Sequence, residues 1–280
     1  MREIFVSEII DTVEKLCMDA NYYLNKDIRD ALEKSLVTEE SEICRAVLKE
    51  LVENANVASN LQVPMCQDTG MAVVFAEVGQ DVHITGGNLT EAINEGVRRG
   101  YEKGYLRKSV VEDPLIRTNT GDNTPAIIHY NIVDGDFLRI ILLPKGFGSE
   151  NMSALKMLKP SDGIEGIKKF VIETVSTAGP NPCPPIVVGV GVGGTMEMAA
   201  ILAKKALLRE VDKRSDTNHI RDLEIELLDE INKLGIGPAG LGGRTTAFAV
   251  NIEVYPTHIA GLPVAVNISC HATRHREAVI

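Results

Sequence analysis

The 280-residue chain is long enough for one large or two ordinary domains, and 44% hydrophobic against 24% charged residues is a globular composition, not a disordered one. Twenty-nine basic against 39 acidic residues give a net charge of −10, which repels phosphate backbones and anionic lipid, so neither nucleic acid nor a membrane is an expected partner. With Trp absent, six Phe and six Tyr, the core must be aliphatic and platforms for stacking bases are scarce.

The longest weakly interrupted apolar run, Pro185 to Gly194, falls far short of the ~18 residues that a spanning helix needs. Glu3, Glu8 and Asp11 near the start do not read as a secretory signal. Five cysteines in that setting point to a reducing compartment, where thiols bind metal or catalyse more often than they form bridges. The expected location is cytoplasmic.

The first sixty residues read as helix. Ile9, Val13, Leu16 and Ala20 recur at helical spacing, as do Ile28, Leu32 and Leu36, then Cys44, Val47, Leu48 and Leu51. From Met71 the period changes, and Ala72 to Val78 reads as a strand, followed by His83-Ile84 and a Gly86-Gly87 break. Asn88 with Glu91 three residues on is a capping-box pattern that opens a helix to about Gly104. Ala126 to Val133 and Phe137 to Leu143 are predicted strands, and Asp134-Gly135 between them predicts a hairpin. A loop follows over Pro144 to Ser149.

Ser161 is the expected cap of a helix running through Thr177. Ile186 to Val192 reads as a buried strand, Met196 to Val211 as a helix and, after the charged stretch Asp212 to Asn218, Ile220 to Leu234 as another. Gly235 to Gly243, with five glycines and a proline, must be loop. Thr245 to Tyr255 and Val264 to Ser269 read as closing strands. The expected fold class is α+β: a helical N-terminal subdomain, 1–62, packed on a sheet-centred mixed α/β body, 63–280, with hairpin and crossover connections.

The cysteines divide by context. Cys17 and Cys44 lie on apolar helical stripes and read as small buried hydrophobes. The other three sit in breaker-rich polar segments: Pro64-Met-Cys66-Gln-Asp-Thr-Gly70, Pro180-Asn-Pro-Cys183-Pro-Pro185 and Ser269-Cys270-His-Ala-Thr-Arg-His275. Prolines on both sides of Cys183 exclude a helix interior and preset the backbone, so a thiolate there loses little entropy on ligation. Their wide spacing excludes zinc-ribbon and ferredoxin motifs, but not a site assembled by the fold. Three thiolates suit either zinc with a fourth His ligand or a cubane cluster that keeps one iron clear of protein sulfur, and spacing alone leaves both open.

Gly189-Val-Gly-Val-Gly-Gly194 satisfies G-x-G-x-x-G between a strand and a helix. A dinucleotide site also wants an acidic residue about 20 positions on, at the end of a second strand. Asp212 lies between two predicted helices, so tight helix–strand packing or a close backbone approach to the site explains these glycines better.

Five ordered motifs carry a resemblance from about residue 40 onward: Val63-Pro-Met-Cys-Gln-Asp-Thr-Gly70, Asn119-Thr-Gly-Asp-Asn123, Lys145-Gly-Phe-Gly-Ser-Glu-Asn151, Gly179-Pro-Asn-Pro-Cys-Pro-Pro185 and Leu262 through His275. In these the chain resembles the α subunits of two-subunit class I iron–sulfur fumarate hydratases and of the similar L-tartrate dehydratases. The resemblance implies a [4Fe–4S] cluster held by Cys66, Cys183 and Cys270, with one iron not ligated by cysteine. It implies substrate contacts from Gln67, Asp68, Arg107, Gly148 and His258, with Asp68 and His258 helping to manage protons and Arg117 a nearby competitor of Arg107. His271, Arg274, His275 and Arg276 crowd the third cysteine and read as its supporting shell or as subunit contacts.

Single-chain members of that family continue into a second domain carrying a threonine base and further cationic clamps. The resemblance therefore implies a separate β subunit, typically in an α2β2 assembly, that completes the site. The implied reaction is hydration of fumarate to (S)-malate, with L-tartrate or another hydroxy-dicarboxylate as the alternative substrate. A reading of another class is a zinc-stabilised binding or regulatory subunit that uses Cys66, Cys183, Cys270 and His271.

Overall fold

The computed structural model describes residues 1–280. In chain order it opens with β1 (Arg2–Phe5), α1 (Val6–Tyr22), α2 (Lys26–Thr38), α3 (Glu42–Leu61), β2 (Met71–Gly79), β3 (Val82–Thr85) and α4 (Leu89–Lys103). There follow β4 (Ile127–Val133), β5 (Leu138–Lys145), α5 (Phe147–Glu150), β6 (Ala154–Leu158) and α6 (Gly163–Ala178). The chain ends through β7 (Ile186–Gly193), α7 (Met196–Ala206), α8 (Asn218–Lys233), β8 (Ala247–Tyr255), β9 (Leu262–Ser269) and β10 (Arg276–Val279). The class is α+β, and two compact units share it: Met1–Leu24, Asn54–Phe147 and Arg274–Ile280 form the first, Asn25–Glu53 and Gly148–Thr273 the second.

The first unit holds a four-stranded sheet in the order β10-β5-β2-β4 and a small parallel pair, β1 with β3. Asn88 caps α4 as its sequence predicts, its side-chain oxygen accepting from the N–H of Thr90 and Glu91. Helices α1 and α4 approach closely because Gly96 and Gly100 carry no side chain; a Cβ there would lie 2.6 Å from Val13 Cβ and 2.7 Å from Cys17 Cβ. Ile9, Val13, Ile93 and Val97 from these helices bury against Val74, Ile140 and Leu142 of the sheet.

The expected hairpin between β4 and β5 does not form. The two strands lie on opposite sides of β2, β4 parallel to it and β5 antiparallel. From Ala72 to Ala76, β2 is buried on both faces, whereas β4 is mostly exposed, so the more apolar strand takes the central place. Asp134-Gly135 instead crosses the end of β2. Gly79 and Asp81 donate to Phe137 O and Gly135 O at 2.8 and 3.0 Å, and Gly135 stands at φ 111°.

The second unit is built on a sheet ordered β6-β9-β7-β8, in which β7 and β8 run parallel and the other pairs antiparallel. Strands alternate their faces, so Ile186, Val188 and Val190 pack with α6 and α8 on one side while Gly189 and Gly191 meet α7 on the other. A Cβ on Gly189 would lie 2.1 Å from Ala203 O, and one on Gly191 2.0 Å from Ala199 O. The glycine pattern is thus filled by a packed helix, as its sequence context suggests.

Other local differences have simple causes. Pro160–Asp162 forms a 3-10 turn in which Asp162 accepts the Lys159 N–H, so α6 starts at Gly163 without a Ser161 cap. Helix α7 stops at Ala206, short of Val211, and Lys145 remains on β5, with a single helical turn in place of the expected loop after it.

Candidate active site

In the first unit the segment between α3 and β2 is held from several directions. Met65 N–H donates to Asn21 O at 3.0 Å, and Asn54 Nδ2 donates to Met65 O at 2.7 Å. Cys66 is half-buried and Gln67 exposed beside it. Both oxygens of Asp68 are engaged: Oδ1 accepts Gly70 N–H at 3.0 Å and Oδ2 accepts Phe147 N–H at 2.8 Å, each retaining a second lone pair. Gly70, at φ 76°, lies so close to β5 that a Cβ would sit 2.7 Å from Lys145 N.

Buried groups fasten this loop from behind. Arg274 donates from Nη2 to Asn21 Oδ1 and to Asp68 O, both at 3.0 Å. The Tyr101 hydroxyl lies 2.8 Å from Thr69 O and 2.9 Å from Gly70 O, and burial pushes its pKa far up, so it remains a donor.

Arg107 is tied to the same loop. Its carbonyl accepts from Thr69 Oγ1 at 3.1 Å, while Asn123 Oδ1 accepts Ser109 N–H at 2.7 Å and Asn123 Nδ2 donates to Gly70 O at 3.2 Å. The Arg107 side chain is exposed. Arg117 instead sits on a separate turn, where its N–H donates to Asp113 O and its guanidinium leans on Pro114 O at 3.4 Å. The first unit therefore brings Cys66, Gln67, Asp68 and Arg107 together.

The second unit brings Cys183 and Cys270 together. Cys183 precedes β7 and Cys270 follows β9, and the register pairs Val187 with Ser269, so both cysteines lie at one end of the sheet. His271 closes the pair: its N–H and its Nδ1 meet Cys183 O at 3.3 and 3.0 Å. A carbonyl only accepts, so Nδ1 carries the proton. Cys183 is exposed and takes φ 56°; Cys270 is half-buried, with its carbonyl accepting from Thr273 N–H and Oγ1.

Gly148 is exposed in α5, with open space where a Cβ would be. His258 lies elsewhere. The Thr257 hydroxyl donates to Gly194 O at 2.9 Å, which fixes this loop at the far end of β7, and Ala260 N–H donates to His258 Nδ1 at 3.2 Å. The eight residues of β9 separate that edge from Cys270 by roughly 25 Å at the usual strand rise. Within the second unit, His258 and the two cysteines occupy opposite sheet ends.

Cys17 and Cys44 are buried, and burial together with Glu14 pushes the Cys17 thiol far up, which makes it inert. Within either unit, no three His, Cys, Asp or Glu side chains group as ligands of one metal ion. A concavity of about 580 Å³ in the first unit lies away from Cys66, at the start of α4, and Glu91 and Glu95 on its wall do not suit an anionic ligand. Thr69, Tyr101 and Asn123 escaped sequence reasoning because their partners are backbone groups distant in the chain. The available signals were Thr69 inside the Val63–Gly70 motif and Asn123 inside the Asn119–Asn123 motif.

The chain matches the pattern of the family described as fumarate hydratase (fumerase) over residues 10–279. It is 50% identical over 273 residues to a Methanocaldococcus jannaschii protein provisionally described as L(+)-tartrate dehydratase subunit alpha, covering 95% of each chain. It is 33% identical over 278 residues to the L(+)-tartrate dehydratase subunit alpha of Escherichia coli K12, covering 98% of this chain and 91% of that one. The matched span takes in all three loop cysteines and both units that carry them, and by that span this chain belongs to the fumarate hydratase family.

Proposed function

We propose that this chain is the α subunit of a two-subunit hydro-lyase that reversibly hydrates fumarate to (S)-malate, with a [4Fe–4S] cluster on Cys66, Cys183 and Cys270. The observation that carries the reading is the Thr69–Arg107 tie, which fastens the Arg107 backbone to the loop that bears a candidate ligand thiol, an amide and a carboxylate. The donor set suits the cluster: three thiols stand in polar loops, with His271, next to Cys270, bonded to the Cys183 carbonyl, whereas Cys17 and Cys44 are buried.

When bound, such a cluster supplies a Lewis-acidic iron to the substrate hydroxyl and carboxylate. The chain's own residues would do the rest. Arg107 grips a carboxylate in a planar fork, and the exposed Gln67 amide orients the second polar end. Asp68, held by two backbone N–H groups, offers its remaining lone pairs to a proton or hydroxyl without moving, and Gly148 leaves its backbone approachable. The base that takes the carbon-bound proton would come from a separate β subunit.

A second reading, L(+)-tartrate as substrate, is favoured by the names of the relatives. The test is anaerobic analysis of iron, zinc and acid-labile sulfide per chain, then assays of fumarate, malate and L-tartrate with the partner subunit. About four irons and four sulfides support the cluster. Stoichiometric zinc without sulfide would replace it with the zinc-stabilised subunit.

A further inference from the structure

We infer that Glu39 is a positioning residue for Cys183, acting through the glycine-rich loop 235–243. The inference rests on the proposed ligand role of Cys183 and assigns a support that no motif marks.

Glu39 is 2% exposed, yet its carboxylate is fully used. Oε1 accepts the N–H of Glu40 at 2.9 Å and of Ser41 at 3.1 Å, and Oε2 accepts that of Arg244 at 2.9 Å. Burial raises its pKa, but the N–H donors of Arg244, Ser41, Glu40 and Thr245 outweigh burial and hold the carboxyl below the usual carboxylate range. The two oxygens have different duties. One serves the start of α3, and the other anchors the loop, where the Cys44 thiol also donates to Gly242 O at 3.0 Å. A Cβ on Gly243 would lie 2.8 Å from Glu39 Oε2.

The loop is compact, with Gly242 N–H on Ile236 O at 2.9 Å, and its apex bears on the cysteine segment. Ala239 N–H donates to Pro184 O at 2.8 Å, and Gly240 lies so near Pro180 that a Cβ would sit 2.3 Å from Pro180 Cβ. Pro180 and Pro184 flank Cys183, whose own N–H donates to Pro180 O at 3.0 Å and whose φ is 56°. That backbone conformation is costly for a residue with a Cβ and persists only where its surroundings impose it.

Glu39→Gln separates the two duties. Its amide oxygen can still serve Glu40 and Ser41, but its NH2 then faces the Arg244 N–H, a donor against a donor. In the metal-free full chain, the amides of Ala239 and Cys183 should exchange hydrogen about tenfold faster, the effect expected for one lost charge-assisted bond, while Val266 in β9 keeps its rate. Gly240→Ala, pressing on Pro180 from the other side, should give the same pattern. Iron should also leave the reconstituted chain faster in air. Wild-type exchange at Ala239 and Cys183 alongside faster exchange at Arg244 would overturn the inference and leave Glu39 a helix cap. Absence of iron and sulfide from the wild-type chain would overturn the ligand role alone, since exchange is read without metal.

Discussion

The hydroxyl of Thr69 donates to the carbonyl of Arg107 at 3.1 Å, joining two segments 38 residues apart. Thr69 is 2% exposed, so Thr69→Val keeps the volume while removing this bond. The proposed carboxylate grip should loosen. KM for the dicarboxylate should rise about fivefold with kcat changed less than about twofold, the size of one neutral hydrogen bond. Equal falls in kcat and kcat/KM would place Arg107 in the chemical step instead.

Asp122 gives an acid-sensitive clasp beside Asn123. Burial raises its pKa, but the hydroxyl and N–H of Thr124 and the guanidinium of Arg98 outweigh burial and bring it down to about 2. A carboxyl depressed on folding stabilises the protein above its ordinary pKa of 3.8, and that contribution fades as pH falls toward about 2. Asp122→Asn should therefore lower the urea midpoint at pH 6 and match the wild type near pH 2. An equal deficit at both pH values would assign the loss to packing.

Gly191→Ala tests the origin of the glycine pattern. Its Cβ would meet Ala199 O at 2.0 Å, so α7 must move away from β7. A loss of at least about 2 kcal/mol in denaturant unfolding is expected, without saturable NAD binding in either protein. A neutral substitution would contradict the close-packing account.

His258 and Cys270 bound opposite ends of β9. His258→Ala should leave the reconstituted iron and sulfide content and the melting temperature within error of the wild type, whereas Cys270→Ala should lose the iron. Loss of iron on changing His258 would mean that this edge reaches the cluster.

The contrast between β4–β5 and β7–α7 shows what was legible. Helical spacing in α1 and α4, the Asn88 cap and the buried run in β7 are local, and each forms as the sequence predicts. The Asp134-Gly135 turn is equally local, yet β2 enters between its strands because burial on both faces outcompetes a two-residue turn. The short strands β6 and β10 carry little pattern and exist through their pairing with β9 and β5. Among the candidate residues, Cys66, Cys183 and Cys270 stood out by their polar settings, with prolines on both sides of Cys183. Glu39 did not, since it works by accepting backbone N–H groups that no side-chain motif announces, and the motif that holds Asn123 does not reveal its bond to Ser109 N–H.

The antiparallel pairing of β7 with β9 has one more implication. Cys183 and Cys270 stand at adjacent strand ends, so ladder register governs their proximity, and everything between Gly194 and Gly261 is an excursion from that frame. The exposed turn around Lys213, between α7 and α8, could be lengthened by several residues, and the thiols would keep their neighbourhood while their numbering drifted apart. For this pair, counting residues between cysteines measures the length of the detour, while the pairing of two strand ends sets them near each other.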